Sequence, residues 1–175
     1  MILLSVGTQL PFERLVRAVD LWALAKGRDD VVAQIGPTAY APRKLRSFDF
    51  LDHEAFRKLQ ADCSVMVSHA GMGSIITALE LGKPIIVVAR DHLKGEHRNG
   101  HQLATLRQFA RLPGVFPAYN ERELIDLLDR ADTLTGSREP VLGAGAPTTF
   151  IERLEGYISN PEPPGLLRRW LRRRG

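Results

Sequence analysis

Ser68-His69-Ala70-Gly71-Met72-Gly73-Ser74 is the stretch whose residue types and spacing most clearly point to chemistry. Glycines let backbone N–H groups approach a ligand closely, and a helix opening directly after them adds a partial positive charge. That combination suits a phosphate. Residue 76 is Ile rather than Gly, so the run is not the full GxGxxG pattern. No Gly-Lys-Ser/Thr follows, so it is not a Walker A loop either. Ser68 and Ser74 flank His69 but lack the G-x-S-x-G elbow, which argues against hydrolase chemistry. His92, His97 and His101 lie close in sequence, yet no cysteine or carboxylate pattern completes a metal site, and none is expected. His69 itself reads either as a ligand-facing group or as a core histidine satisfied by backbone.

The elements around this stretch place it. Val65–Ser68 and Ile85–Ala89 are apolar runs, as in a parallel sheet covered on both faces, and residues 72–81 between them read as a helix ending at Gly82. Upstream, Met1–Val6 reads as a strand, Gly7-Thr8-Gln9 as a turn, and Pro11 as a first-turn residue of a helix carrying Leu15, Val16, Val19 and Leu24. Val31–Ile35 and Phe48–Leu51 are further strands, and Asp52 is the expected N-cap of a helix holding Ala55, Phe56 and Leu59. Residues 90–98 form a polar loop. A helix from Asn99 to Ala110, a strand Val115–Ala118, a helix capped by Asn120 and a last helix Phe150–Ile158 complete the body. The alternation predicts an α/β fold, a Rossmann-like, mostly parallel sheet with helices on both faces.

In such a sheet ligands bind outside the carboxyl ends of the strands. Three segments should meet there: Gly7-Thr8-Gln9, His69–Ser74, and the 90–102 region with Arg90, Glu96, Asn99, His101 and Gln102. Backbone donors, small residues and amide side chains together suit a nucleoside diphosphate bearing a sugar.

Composition bounds the alternatives. The 175 residues are 44% hydrophobic and 25% charged, as in an ordinary globular domain. The formal charge is +4, but five arginines fall within residues 166–174. Without them the balance is −1, so a nucleic-acid-binding face is not expected. Cys63 is the single cysteine and fits a reducing compartment. No apolar run is long enough to span a membrane, and Met1–Val6 lacks the basic start of a signal peptide. The expected division is a domain over residues 1–160, then a Pro linker and basic tail over 161–175. Within that tail Leu167, Trp170 and Leu171 share a helical edge flanked by arginines. It reads either as a contact to an anionic bilayer or as a disordered basic terminus.

Val67-Ser68-His69-Ala70-Gly71-Met72-Gly73-Ser74, Leu81-Gly82-Lys83-Pro84 and Asn99-Gly100-His101-Gln102 resemble the carboxyl-terminal domain of family 28 glycosyltransferases. With Val6-Gly7-Thr8, Pro11–Val16, Gln34-Ile35-Gly36 and Phe48–Leu51, the resemblance extends to donor-binding subunits of split, two-subunit GT-B enzymes over residues 1–130.

The resemblance implies an inverting transferase subunit. It would move a hexose or hexuronic acid from a UDP-sugar to a lipid-linked acceptor in exopolysaccharide or capsule synthesis, with no cofactor beyond the substrate. A membrane-associated partner subunit would bind the acceptor, placing the chain in the cytoplasm at the inner face of the membrane. Ala70, Gly71, Met72, Gly73 and Ser74 would hold the diphosphate. Gly7 and Thr8 would line the cleft, Phe50 and Leu51 would meet the uracil, and Asn99, His101 and Gln102 the sugar. Arg90 would stabilise the leaving UDP, and His69 would act as base or hold the diphosphate. The resemblance also implies a ribose-binding glutamate where this chain has Thr77, and an acidic residue where it has Gly100. A non-catalytic nucleotide-sugar-binding or regulatory module shares the same pocket residues and is the alternative. A free-standing nucleotide-sugar epimerase or hydrolase of similar fold is a third reading, and the expected absence of a second domain argues against it.

Overall fold

The computed structural model describes residues 1–96 and 101–136, with the side chain of His101 left aside. All of them belong to the first of the chain's two units, Met1–Val141. The expected helix at 150–158, the boundary at 160 and the tail lie outside the described residues, as do Asn99 and Gly100.

Among the described residues six short strands form one parallel sheet: β1 (Ile2–Ser5), β2 (Val31–Gln34), β3 (Arg46–Phe48), β4 (Val65–His69), β5 (Ile85–Val88) and β6 (Val115–Ala118). Their spatial order is β3-β2-β1-β4-β5-β6. Chain order therefore reverses between β1 and β4, the switch point at which open α/β sheets hold ligands. Among the described residues five helices cover the sheet: α1 (Glu13–Lys26), α2 (His53–Asp62), α3 (Met72–Glu80), α4 (His101–Phe109) and α5 (Glu121–Asp129).

Period-2 alternation builds two cores. Ile2, Leu4, Val65, Val67, Ile86 and Val88 pack with α1 and α5 on one face. Leu3, Met66, Ile85 and Val87 pack with α3, Leu106 of α4 and Phe56 and Leu59 of α2 on the other. The sheet is buried on both faces, which is why its strands read as continuous apolar runs.

Local signals account for most element ends. The Asp52 carboxylate accepts from the Ala55 amide at 2.8 Å, and Asn120 Oδ1 accepts from the Glu123 amide at 2.9 Å. The Glu123 carboxylate returns to the Tyr119 amide at 2.9 Å, closing that helix start reciprocally. Gly27 ends α1 at φ 66°, a backbone state that glycine adopts freely.

Three sequence expectations shift. The third strand is Arg46–Phe48 rather than Phe48–Leu51. β2 ends at Gln34, where it pairs with Phe48, so Phe50 and Leu51 have no strand to continue against and fall in the following loop. Pro11 lies before α1, whose N-cap is Phe12, and Leu24 on that helix is 43% exposed. Within the polar 90–96 loop, His92–Lys94 make a 3-10 turn capped by the Asp91 carboxylate.

The helix-free link from β2 to β3 is anchored from α1. The buried Asp20 carboxylate accepts from Tyr40 Oη at 2.7 Å and from the amides of Arg43, Lys44 and Leu45 at 2.9, 2.8 and 3.1 Å. Burial pushes this carboxyl's pKa up, but the Arg43 amide, the Tyr40 hydroxyl and the other two amides outweigh it and hold the group below its ordinary range. Among the described residues, no helix is long and apolar enough to cross a membrane.

Candidate functional site

A cleft of about 800 Å³ opens at the carboxyl ends of β1 and β4. The loop after β1 forms one wall through Gly7, Thr8, Gln9 and Leu10. The β4–α3 turn forms the floor through His69, Gly71, Gly73, Ser74 and Thr77, and α2 with the Phe50–Leu51 loop forms the far wall. Arg90 and Gln102 close the remaining side.

His69 organises the floor. Its Nδ1 lies 3.3 Å from Ser68 Oγ, and its ring sits between two glycines. A Cβ built on Gly71 would stand 2.2 Å from Nε2, and one on Gly7 would stand 2.7 Å from Cε1. Gly7 also holds φ +80°, where a side chain would be strained. Gly71 has extended backbone, φ −94° and ψ 132°, so its requirement for glycine comes from the imidazole and not from its torsion angles. The two glycines make room for a side chain of the protein itself.

Immediately beyond the ring, α3 begins. The first-turn amides of Met72, Gly73 and Ser74 have no intrahelical carbonyl to bond, and the nine-residue helix directs its positive end toward the cleft. The lining includes His53, Arg57, His69 and Arg90 and, among the described residues, no Asp or Glu. The site is thus set for an anion. Among the described residues, no group of three or more His, Cys, Asp or Glu side chains is arranged to hold a metal ion.

Most expected site residues meet here: Gly7, Thr8, Phe50, Leu51, His69, Gly71, Gly73, Ser74, Arg90 and Gln102 all line the cleft. Ala70 does not, because it is 2% exposed within the apolar layer under α3. Met72 is 58% exposed and its side chain lies off the lining, so only its amide fits the expected role. His101 opens α4, and Asn99 lies outside the described residues. Glu80 is exposed and does not reach the cleft, which leaves Thr77 alone at the expected ribose position on α3.

Arg90 departs from its expected work. The Arg90 guanidinium is buried, and its Nη atoms donate to four backbone carbonyls, those of Val6, Leu10, Pro11 and Glu96. Those four bonds leave its Nη groups no hydrogen for a leaving phosphate. Burial lowers its pKa, and the Glu96 carboxylate nearby opposes that shift. The Leu51 amide donates to Gln34 Oε1 at 3.0 Å, so at this residue the carbonyl remains for a base. Gln102 also has a structural task, with Oε1 accepting the Arg90 amide at 3.0 Å.

Sequence reasoning missed Gln34 and the α2 face of His53, Phe56, Arg57 and Gln60. The last four recur at i, i+3, i+4 and i+7, the spacing of one helix face. That signal is present in the sequence, but a mostly polar face reads equally as a solvated one.

The sequence is similar to curated subunits of a UDP-N-acetylglucosamine transferase. It is 38% identical over 74 residues to the subunit ALG13 of Candida albicans, covering 42% of this chain and 24% of that protein. It is 31% identical over 86 residues to the Kluyveromyces lactis ALG13 subunit, covering 49% of this chain and 41% of that protein. The matches thus span well under half of each relative's length. By structure, the chain resembles the NMR solution structure of ALG13 at TM-score 0.54 and 22% identity, covering 87% of this chain and 93% of that one. It also resembles Acinetobacter baumannii MurG at TM-score 0.53 and 18% identity, over 75% of this chain and 42% of that one. At such identities these likenesses speak to the fold. Residues 1–129 match the glycosyltransferase family 28 C-terminal domain, and the chain belongs to that family.

Proposed function

We propose that this chain is the donor-binding, catalytic subunit of a two-component inverting glycosyltransferase that uses a UDP-sugar. One observation carries the reading: the His69 imidazole, fitted between Gly7 and Gly71, lies beside the open first turn of α3 in a cleft lined, among the described residues, by no carboxylate. The diphosphate would take the amides of Met72, Gly73 and Ser74. The nucleoside would lie toward Phe50, Leu51 and the α2 face, and the sugar toward Thr8 and Gln102.

In the proposed reaction an acceptor hydroxyl attacks the anomeric carbon. The bond from that carbon to the β-phosphate oxygen breaks, and its electron pair leaves with UDP. The helix terminus and His69 would stabilise the charge that develops there. The hydroxyl proton passes to a base. The position of His69 against Gly71 supports contact with the diphosphate, and in this reading the base would lie on the partner chain.

The acceptor half would come from a membrane-associated partner that binds a lipid-linked sugar. This is supported by relatives that are themselves named as subunits. Exopolysaccharide or capsule assembly at the inner face of the cytoplasmic membrane is the setting we propose. The arginines of residues 166–174 with Trp170 would add a contact to anionic lipid.

Calorimetric titration of the full chain with UDP and a panel of UDP-sugars tests the donor site. Saturable binding that is lost in Gly71→Asp supports the reading, and no binding with or without the co-expressed partner refutes it. Full activity of the reconstituted pair carrying His69→Ala would favour the non-catalytic module instead.

A further inference from the structure

The proposed chemistry makes no use of the guanidinium that, alone among the described residues, is buried beside the cleft. Arg90 follows β5 and is 4% exposed. Its Nη1 donates to the carbonyls of Pro11 and Glu96 at 2.9 and 3.2 Å, and its Nη2 to those of Val6 and Leu10, both at 2.5 Å. A guanidinium has four Nη hydrogens and one on Nε. Four carbonyls therefore account for all the Nη hydrogens, and Nε is buried with no partner among the described residues. No Nη hydrogen remains to offer an anionic ligand.

The partners of this group are the informative part. Val6, Leu10 and Pro11 belong to the loop after β1, and Glu96 belongs to the loop after β5. These strands are not neighbours, because β4, which ends in His69, lies between them. The loop after β5 is also tied to α1, the helix that the β1 loop leads into. Arg14 on α1 holds the Glu96 carboxylate through Nε and Nη2 at 2.8 and 2.9 Å, and that carboxylate accepts the Asp91 amide at 2.8 Å. The guanidinium carbons of Arg90 and Arg14 lie 5.1 and 5.2 Å from the centre of the Phe12 ring.

The bond to the Val6 carbonyl has a direct consequence. A planar peptide moves as a unit, so fixing that carbonyl fixes where Gly7 begins. Gly7 is one of the two residues whose missing Cβ admits the His69 ring. The chain of contact runs from Arg90 through the Val6–Gly7 peptide to the imidazole.

We propose that Arg90 is a positioning residue. It joins the β1 and β5 loops into one rim and seats Gly7 against His69, without touching the ligand. The proposal rests on the donor-site reading only for its effect on binding; the coupling of the loops stands apart from it. Lysine cannot substitute. A single ammonium carries three donors on one atom and lacks the planar fork that reaches four carbonyls on two segments.

The test uses full-length Arg90→Lys and Arg90→Ala. Hydrogen exchange without ligand is expected to speed up together in peptides covering residues 5–16 and 91–96, while β4 and β5 exchange as in the wild type. UDP affinity is expected to fall at least about tenfold in both variants, the scale of losing charge-assisted hydrogen bonds. Millimolar guanidinium chloride should restore part of it in Arg90→Ala and none in Arg90→Lys, where the side chain fills the space. If Arg90→Ala does not fold, Arg90→Lys carries both measurements. Unchanged exchange at residues 5–16, faster exchange across the whole sheet, or wild-type UDP affinity in Arg90→Lys each overturns the proposal. A wild-type chain that binds no UDP would end the donor reading, and the exchange comparison would still decide the coupling.

Discussion

Replacing Gly71 with alanine isolates the contact on which the site is built. The added Cβ would lie 2.2 Å from His69 Nε2, 2.8 Å from Cε1 and 3.0 Å from Cδ2. Ordinary carbon contacts begin near ~3.5 Å, so the ring would have to retreat by about 1.3 Å. It cannot simply back away, because Gly7 closes the other side and Ser68 Oγ lies 3.3 Å from Nδ1. Overpacking of this kind costs roughly 1–3 kcal/mol. Two smaller terms accompany it. The backbone at residue 71 suits alanine, which gains about 0.4–1 kcal/mol by restricting the unfolded chain. Alanine is also a poorer N-cap than glycine, by some tenths of a kcal/mol. Both smaller terms are present whether or not residue 69 carries an imidazole. A double-mutant cycle with His69→Ala therefore cancels them and leaves the overpacking as a coupling energy of about 1–3 kcal/mol. Urea unfolding of the four proteins measures it. In the His69→Ala background, Gly71→Ala should be close to neutral. UDP titration should show at least about tenfold weaker binding for Gly71→Ala alone, since the displaced ring moves into the space proposed for the diphosphate. Equal costs in the two backgrounds, within about 0.5 kcal/mol, would refute the argument that the glycine serves the histidine.

Asp20→Asn should destabilise the fold by about 2–4 kcal/mol at neutral pH, since the carboxylate accepts four hydrogen bonds. The folded carboxyl titrates below its unfolded value of about 3.9, so its contribution is present above that pH and fades as pH falls through the folded value. Urea midpoints should show the gap between wild type and variant narrowing from pH 7 to pH 3, and a constant gap would contradict this. Gln34→Leu removes the acceptor of the Leu51 amide, a loss of about 1–3 kcal/mol of local order. Calorimetry should then show weaker UDP binding with pyrophosphate binding unchanged; equal loss for both ligands would place the nucleoside elsewhere. Asp52→Ala should lower stability by about 1 kcal/mol and the melting temperature by about 2–4 °C, through the lost cap to Ala55.

The fold was legible because its signals are local. Val65–Ser68 and Ile85–Val88 are buried on both faces, and Asp52 and Asn120 cap the helices that follow them. The misplaced third strand shows where local reading stops. Phe50 and Leu51 look extended and apolar, but a strand lasts only as long as its partner, and β2 ends at Gln34. The structural role of Arg90 escaped for the same reason at greater range: three of its four acceptors are backbone carbonyls 79 to 84 residues away, and no residue type announces a carbonyl.

The deepest correction concerns the glycines themselves. Read alone, Gly7 and Gly71 are places where a ligand approaches the backbone. In the fold, both leave their space to one imidazole, so what faces the cleft is a side chain held between two loops and set beside a helix terminus. A phosphate meeting that surface contacts the end product of contacts made across the switch point. Its affinity would then depend on residues that never touch it, which is why most residues lining the cleft could be named from sequence while what holds them in place could not.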